Sequence, residues 1–257
     1  MKTKSIGFIG GGRITKIFLK AFQNKGVDLS STIVFDMNSD VLSGLKGQSP
    51  DIQTVNTADQ PAQCDIVFIA LHPPAIMESL TQVSTKISEN AMVISLAPKI
   101  SIDKIATQVK SPNLARMIPN ATSYINEGYN PISFAKTFNP THKQELLKLL
   151  ELLGKTFEVD EPKLEAYAIL SAMLPTYFWF QWRELIRLGD EMGLSKIERE
   201  QSVHQSMVAA LNTYFHSGLT PDEVIDLIPV KPIGEHEESI NDIYRDKLFS
   251  LFQKIKP

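Results

Sequence analysis

The sequence has a single cysteine, Cys64, and no group of histidine and cysteine residues with metal-ligand spacing. One thiol excludes an internal disulfide, so we expect a protein of the reducing cytoplasm without a metal centre. Neither charge is in large excess, because 26 basic residues stand against 29 acidic ones, for a formal net charge of −3. Without a broad positive field, binding to nucleic acid or to an anionic membrane is not expected, and small molecules are the favoured partners.

A long apolar run is also missing. The most apolar later segment, Met173 to Trp182, contains Pro175 and Gln181 and is shorter than the roughly 20 residues that cross a bilayer. We interpret it as a buried helix. Its aromatic side chains favour either the core or a contact between two copies of the chain over a substrate pocket, which gives an expected homodimer.

The first part of the chain alternates short β-like runs with helical stretches, which is typical of a parallel sheet with crossover helices. The predicted strands are Ser5–Ile9, Thr32–Phe35, Ile52–Val55, Asp65–Leu71, Met92–Leu96, Leu114–Met117, Pro131–Ala135 and Phe157–Val159. The predicted helices between them are Ile14–Asn24, Ala75–Ser88, Ser101–Val109 and Pro140–Leu153, the last ended by Gly154. The fold class is therefore α/β, with a doubly wound N-terminal domain over residues 1–160.

After Asp160 the alternation stops and the pattern becomes helical throughout. The predicted helices run from Pro162 to about Gly189, from Ser195 to about His216, from Pro221 to Leu227, and from Glu237 to about Lys254. Ser195 and Thr220 each precede acidic residues in the way that starts a helix. The pattern over residues 161–257 thus predicts a second, all-helical domain, through which two copies of the chain are expected to form the dimer.

The clearest motif follows the first strand, where Gly10-Gly11-Gly12 leads into the helix that begins with Arg13 and Ile14. Such a turn binds a dinucleotide pyrophosphate on backbone N–H groups at a helix N-terminus, as in a Rossmann domain. Thr15 stands where the third small residue of the G-x-G-x-x-G pattern is usual. Glycine triplets also occur in plain loops, but the strand before and the helix after this one favour a cofactor site.

Asp36 ends the second predicted strand, and an acidic residue there binds ribose hydroxyls and repels a 2′-phosphate. NAD(H) is therefore favoured over NADP(H) within an NAD(P)H site. Arg13 leaves the choice open, because it can bind the pyrophosphate or a 2′-phosphate. The alternative is that Asp36 only forms a turn and Arg13 only lies in solvent.

The fourth predicted strand ends in Ala70-Leu71-His72-Pro73, at the carboxyl edge where an open sheet binds its ligand. His72 either supplies a proton near the nicotinamide or simply fixes the loop. The complete set of predicted cofactor-binding residues is Gly10, Gly12, Arg13, Ile14, Asp36, Asn56, Ala70, Leu71, His72, Pro73 and Ala97.

Taken in order, four segments resemble the pyrroline-5-carboxylate reductase family, whose members reduce a cyclic imine to proline. They are IGFIGGGRI, DIVFIALHPP, VISLAPKI and RMIPNATSYINEG. The resemblance implies a Rossmann domain, a helical domain that dimerises, and a nicotinamide cofactor. It also implies that Asn120 shapes the nicotinamide and substrate pocket and that Ser171 supplies a hydroxyl.

The second half departs from the family pattern at two segments. Ser171 to Tyr177 keeps the serine, proline and tyrosine of the family's Ser-Gly-Ser-Gly-Pro-Ala-Tyr segment but has neither glycine, and Glu235 and His236 stand where the family has threonines. A carboxylate beside an anionic substrate requires a compensating cation, which Lys231 or His236 can supply.

The predicted catalytic set is His72, Asn120, Ser171, Glu235 and His236. Asn120 could instead form a turn, and Ser171 could bond to its own backbone. Three functions remain open: an NAD(P)H-dependent reductase of a small cyclic imine, a reductase or dehydrogenase of another small keto or hydroxy acid, and a non-catalytic NAD(P)-binding regulatory protein.

Overall fold

The computed structural model describes residues 4–257, which group into two compact units. One runs up to Ala172 and includes Phe252–Pro257, and the other runs from Met173 to Leu251. The functional boundary that the sequence places after Asp160 stays a prediction.

Over the described part of the first unit, eight strands form one sheet in the order β3-β2-β1-β4-β5-β6-β7-β8. All neighbouring strands are parallel except β6 and β7. All eight predicted strands are present, with ends that shift by a few residues. Their bounds are β1 Ile6–Ile9, β2 Thr32–Phe35, β3 Gln53–Val55, β4 Ile66–Ile69, β5 Met92–Ser95, β6 Leu114–Met117, β7 Gly128–Phe134 and β8 Gly154–Glu158.

Between residues 4 and 172 the α-helices are α1 Arg13–Asn24, α2 Ser39–Gln48, α3 Asp59–Ala62, α4 Pro73–Val83, α5 Ile102–Ala106, α6 Pro140–Leu150 and α7 Leu164–Tyr167. α2 was not expected, because Gly44 and Gly47 weaken its helical pattern. It begins because the Asn38 side chain accepts from the backbone N–H of Asp40.

Helices cover both faces of the sheet, as the near-continuous apolar strands require. Phe8 and Phe68 pack with Phe18 of α1 on one face, together with Leu146 of α6. Val67 packs against Ile76 of α4 on the other. The doubly wound α/β architecture is therefore confirmed.

The long helix predicted from Pro162 to Gly189 is wrong as a single helix. The chain instead forms a short 3₁₀ turn, then α7, then a π-helical turn over Ala168–Ala172, and then a new helix, α8, from Leu174. Pro175 is the physical reason, because it has no N–H to donate to the carbonyl four residues earlier.

The second unit is helical, with α8 Leu174–Glu191, α9 Lys196–His216, α10 Pro221–Asp226 and α11 Glu237–Ile255, which continues into the first unit. Capping boxes at Ser195 and Thr220 begin α9 and α10, as predicted. The expectation of a buried helix is wrong within the chain, because Phe178, Trp179 and Phe180 of α8 are 36%, 46% and 59% exposed. Among residues 4–257, no helix is both long and apolar enough to cross a membrane.

Gly154 tests how tightly β7 and β8 pack. Its φ is +126°, and a Cβ built there would lie 2.3 Å from the backbone nitrogen of Gly128. We expect Gly154→Ala to lower the free energy of unfolding by about 1–3 kcal/mol or more in urea titrations, since both strain and a backbone clash oppose it.

The matched control is Gly44→Ala in α2, where no atom lies within 4 Å of the added Cβ. This change should raise the free energy of unfolding by about 0.5–1 kcal/mol, because glycine inside a helix is less stable than alanine by that amount. Equal stability of the two variants would contradict the expected clash.

Candidate active site

The carboxyl ends of β1 to β6 meet at one edge of the sheet, because these strands are parallel. Predicted site residues from separate parts of the sequence therefore lie along this edge. Gly10 follows β1, Asp36 follows β2, Ala70 follows β4, and Asn120 lies just beyond β6.

The glycine turn is held by close main-chain contacts. Gly10 has a φ of +106°, and a Cβ there would lie 2.4 Å from the carbonyl oxygen of Ala70. The N–H of Gly10 donates to Phe35 O at 2.8 Å, and the N–H of Ala70 donates to Ile9 O at 2.8 Å. These contacts join the ends of β1, β2 and β4, and they require glycine at position 10.

Gly12 differs from Gly10, because a Cβ built on it would meet nothing within 4 Å. It is the N-cap of α1 and makes no side-chain capping bond. The first N–H groups of a helix have no intrahelical acceptor, so the start of α1 beside Gly12 offers donors without acceptors in the helix itself. Arg13 is exposed and Ile14 is half-buried. An anion fits at this helix N-terminus.

Thr15 explains how the turn tolerates a departure from the usual third glycine. Its side chain is fully buried, and its hydroxyl donates to the carbonyl oxygen of Gly10 at 2.6 Å. The threonine thus satisfies its polar group within the turn, and α1 still packs against the sheet.

Asp36 is attached to the same turn, since its Oδ2 accepts the N–H of Gly11 at 2.8 Å and its Oδ1 accepts the N–H of Asn38 at 2.9 Å. A carboxylate has about four acceptor positions, so Asp36 can still accept further hydroxyl donors. The sequence left open whether Asp36 only forms a turn or also lies at the cofactor site. In the structure it forms a turn with Asn38 and also lies beside the glycine turn.

The other predicted cofactor residues lie at the ends of β3, β4 and β5. Asn56 is exposed after β3, Leu71 and Pro73 are half-buried, and Ala97 is buried after β5. His72 is the exposed N-cap of α4, and its side chain makes no capping bond. Beyond Ala97, Lys99 adopts a φ of 75°, an unusual conformation for a lysine.

Asn120 is buried and connects two parts of the first unit. Its Oδ1 accepts the N–H of Thr122 at 3.0 Å, and its Nδ2 donates to the carbonyl oxygen of Ser171 at 3.1 Å. The Ser171 hydroxyl donates to Tyr167 O at 2.7 Å. The structure thus brings Asn120 and Ser171 together, and each makes the local bond that the alternative interpretation expected.

Asn130 supports Asn120 and was missed from the sequence. Its side chain is fully buried on β7, and its Oδ1 accepts the N–H of Asn120 at 2.9 Å and the hydroxyl of Ser123 at 3.3 Å. The predicted strand begins one residue later, at Pro131, so no local pattern marked Asn130 as a buried partner of Asn120.

Glu235 and His236 lie in the second unit, in a 3₁₀ turn over Gly234–His236 that precedes α11. Both are exposed, and His236 Nε2 lies 3.6 Å from Glu235 Oε1. The carboxylate therefore has a potential cation beside it.

Burial raises the pKa of the Cys64 thiol to about 11, so this cysteine is not a nucleophile at neutral pH.

Comparisons with known proteins agree with this architecture. Residues 5–99, which include the glycine turn, match the family model described as NADP oxidoreductase coenzyme F420-dependent. Pyrroline-5-carboxylate reductases of Staphylococcus haemolyticus and Staphylococcus aureus are each 22% identical over 250 residues, which cover 96% of this chain and 92% of theirs.

Solved structures show the same fold over both units. The pyrroline carboxylate reductase of Plasmodium falciparum, with NADP bound, has a TM-score of 0.77 at 19% identity and covers 99% of this chain and 95% of its own. The Coxiella burnetii pyrroline-5-carboxylate reductase has a TM-score of 0.72 at 23% identity, with coverage of 99% and 95%. The resemblance to the pyrroline-5-carboxylate reductase family that the sequence motifs predicted is therefore confirmed over nearly the whole chain.

Proposed function

We propose that this chain is an NAD(P)H-dependent oxidoreductase that reduces a small cyclic imine or imino acid, with pyrroline-5-carboxylate as the prototype. The observation that carries the proposal is the bare turn at the start of α1, where Gly12 faces open space and Asp36 lies beside Gly11. Its similarity to pyrroline-5-carboxylate reductases over both units supports the choice of substrate class.

The residues of the turn fit a dinucleotide. The free N–H groups at the start of α1 would hold the pyrophosphate, and Asp36 would accept the ribose hydroxyls while it remains bonded to Gly11. The same carboxylate disfavours a 2′-phosphate, so we propose NADH as the better donor.

When bound, the nicotinamide supplies a hydride to an electrophilic carbon. A protonated imine is already activated, so no strong general acid is required. The task that remains for the protein is to orient the substrate and to exclude water. Asn120 and Ser171 are proposed to orient the substrate from the end of β6 and from the π-helical turn. Ser171 would give up its bond to Tyr167 O to donate to a ligand.

The segment at Glu235 and His236 favours a second candidate, a reductase of another small keto or hydroxy acid. A charged pair there replaces neutral hydrogen-bond donors of the family. With a ketone substrate, His72 or His236 would serve as the proton source.

The helical unit also supports the proposed homodimer. None of the side chains of α9 is buried, although several of them are large and apolar. Val208, Leu211 and Phe215 are 43%, 56% and 67% exposed. Exposed apolar surface of this kind marks an interface, and a second copy of the chain is the proposed partner. A reducing cytoplasm is the proposed location, because a single cysteine forms no internal disulfide.

Gly12→Ala tests the cofactor turn. We expect the Kd for NADH, measured by fluorescence titration, to rise about tenfold or more, which corresponds to 1.4 kcal/mol. The free energy of unfolding should fall by no more than about 1 kcal/mol, because the added methyl meets no atom within 4 Å and the change opposes only the preference for glycine over alanine at an N-cap. Gly47→Ala, which is equally free of contacts in α2, is the control and should bind NADH normally.

Turnover is tested by steady-state oxidation of NADH and of NADPH with pyrroline-5-carboxylate. We expect reduction of the imine with both donors and a higher kcat/KM for NADH, because of Asp36. Turnover restricted to keto acids would favour the second candidate. Tight NADH binding without turnover on a panel of imines and carbonyls would contradict an enzymatic role.

The assembly is tested by size exclusion with light scattering. We expect a dimer at micromolar concentration, and Phe215→Glu should weaken it, because a charge on the apolar face of α9 would be buried in the contact. Gln201→Glu adds a charge to the same helix at an exposed polar residue and should leave the dimer intact. A monomeric wild-type protein would refute the homodimer.

A further inference from the structure

An inner strand of the sheet contains a buried arginine that no part of the proposed chemistry uses. Arg116 on β6 is 0% exposed and is among the largest fully buried side chains. Its chain neighbours Ala115 and Met117 lie in the apolar cluster that includes α1 and α6, so Arg116 points to the opposite face. It pairs in register with Ser95 on β5 and Ser133 on β7, which are also buried. A polar row therefore crosses three strands.

Two carboxylates meet this arginine. Nη1 donates to Glu161 Oε1 at 2.8 Å, and Nη2 donates to Glu165 Oε1 at 2.5 Å. Glu165 is 1% exposed, whereas the side chain of Glu161 is 25% exposed. Glu161 Oε1 also accepts the N–H of Ile102, the first residue of α5, at 2.7 Å. The cluster thus joins β6, the start of α5 and the segment of α7.

Each of these three segments leads to a predicted site residue. β6 leads to Asn120, α7 leads to the π-helical turn that holds Ser171, and the loop before α5 contains Ala97. The geometry of the candidate site therefore depends on where this cluster holds the segments.

A second contact ties the same segments at the site itself. The carbonyl of Ser171 would receive the N–H of residue 175 in an α-helix, but that residue is a proline. Asn120 Nδ2 donates to this carbonyl instead, at 3.1 Å. Two contacts thus join β6 and the segment after it to α7 and its π-helical turn. One is the ion pair of Arg116 with Glu165, and the other is the hydrogen bond from Asn120 to the carbonyl of Ser171.

We infer that Arg116 and Glu165 are positioning residues, which fix the π-helical turn so that Ser171 lies beside Asn120. The inference rests on the proposed reductase function. Glu165 Oε2 and Arg116 Nε have no hydrogen-bond partner among residues 4–257, so the contact between Nη2 and Oε1 is what aligns the two side chains. A charge-assisted bond of this kind is strong and directional, and without the Glu165 charge the buried Arg116 keeps Glu161, whose side chain is partly exposed, as its charged partner.

The test is a double-mutant cycle between Glu165→Gln and Ser171→Ala. Glu165→Gln keeps the shape of the side chain and removes its charge. We expect kcat/KM for pyrroline-5-carboxylate to fall about tenfold through the KM of the imine, while the KM for NADH stays within about twofold. In the Ser171→Ala background the same change should cost about twofold or less, since Glu165 would act through the serine.

The control is Asp160→Asn, which removes an exposed carboxylate just before the same segment and should leave both KM values unchanged. Additive effects of Glu165→Gln and Ser171→Ala would overturn the inference, because they would show a general effect on the fold. If Glu165→Gln does not fold, Glu165→Asp keeps the charge at a shorter reach and enters the same cycle with the same expected coupling.

Hydrogen exchange separates this inference from the proposed function. If the wild-type protein binds NADH but does not turn over the imine, the reductase proposal fails, and protection of the amides of residues 168–172 still reports the position of the turn. Glu165→Gln should lower that protection and Asp160→Asn should not. Unchanged protection in Glu165→Gln would overturn the positioning role whatever the substrate.

Discussion

The close approach of Gly10 to the carbonyl of Ala70 is the constraint on which the candidate site depends. With 2.4 Å between that oxygen and a Cβ at position 10, no other residue fits, and the positive φ of Gly10 turns the chain directly from β1 into α1. The helix therefore begins at the carboxyl edge of the sheet, where its first N–H groups have no acceptor within the helix. The hydroxyl of Thr15 and the carboxylate of Asp36 both bond to this turn, which makes it a rigid platform.

Buried polar contacts support the rest of the same edge. Asn130 holds the backbone of Asn120, and Asn126, which has a φ of 63°, donates its side-chain amide to the carbonyls of Ala21 and Leu152. An unpaired buried amide is costly, so these bonds specify one arrangement of the loop after β6. Arg116 serves the same purpose deeper in the sheet, where it joins two carboxylates to β6.

The two units differ in how they bury apolar surface. The first encloses its own core on both faces of the sheet. The second leaves large apolar side chains of α8, α9 and α10 exposed, although its helices are well capped. Good capping stabilises helix ends but buries no surface, and the proposed second copy of the chain would cover these exposed side chains.

Local patterns in the sequence were sufficient to determine the eight strands, the glycine turn, the acid after β2 and the capped starts of α9 and α10. Each depends on neighbouring residues alone, through alternation, a required positive φ or a capping hydroxyl. The same patterns did not show α2, whose two glycines weaken its signal, or the interruption of the helix around Pro175.

They also gave no sign that Arg116 would contact Glu161 and Glu165, or that the carbonyl of Ser171 would accept a hydrogen bond from Asn120. Those contacts join residues 45 to 51 positions apart along the chain. Only the tertiary structure decides them, because a buried charge or an orphaned carbonyl takes whichever partner the packing of the sheet brings within reach.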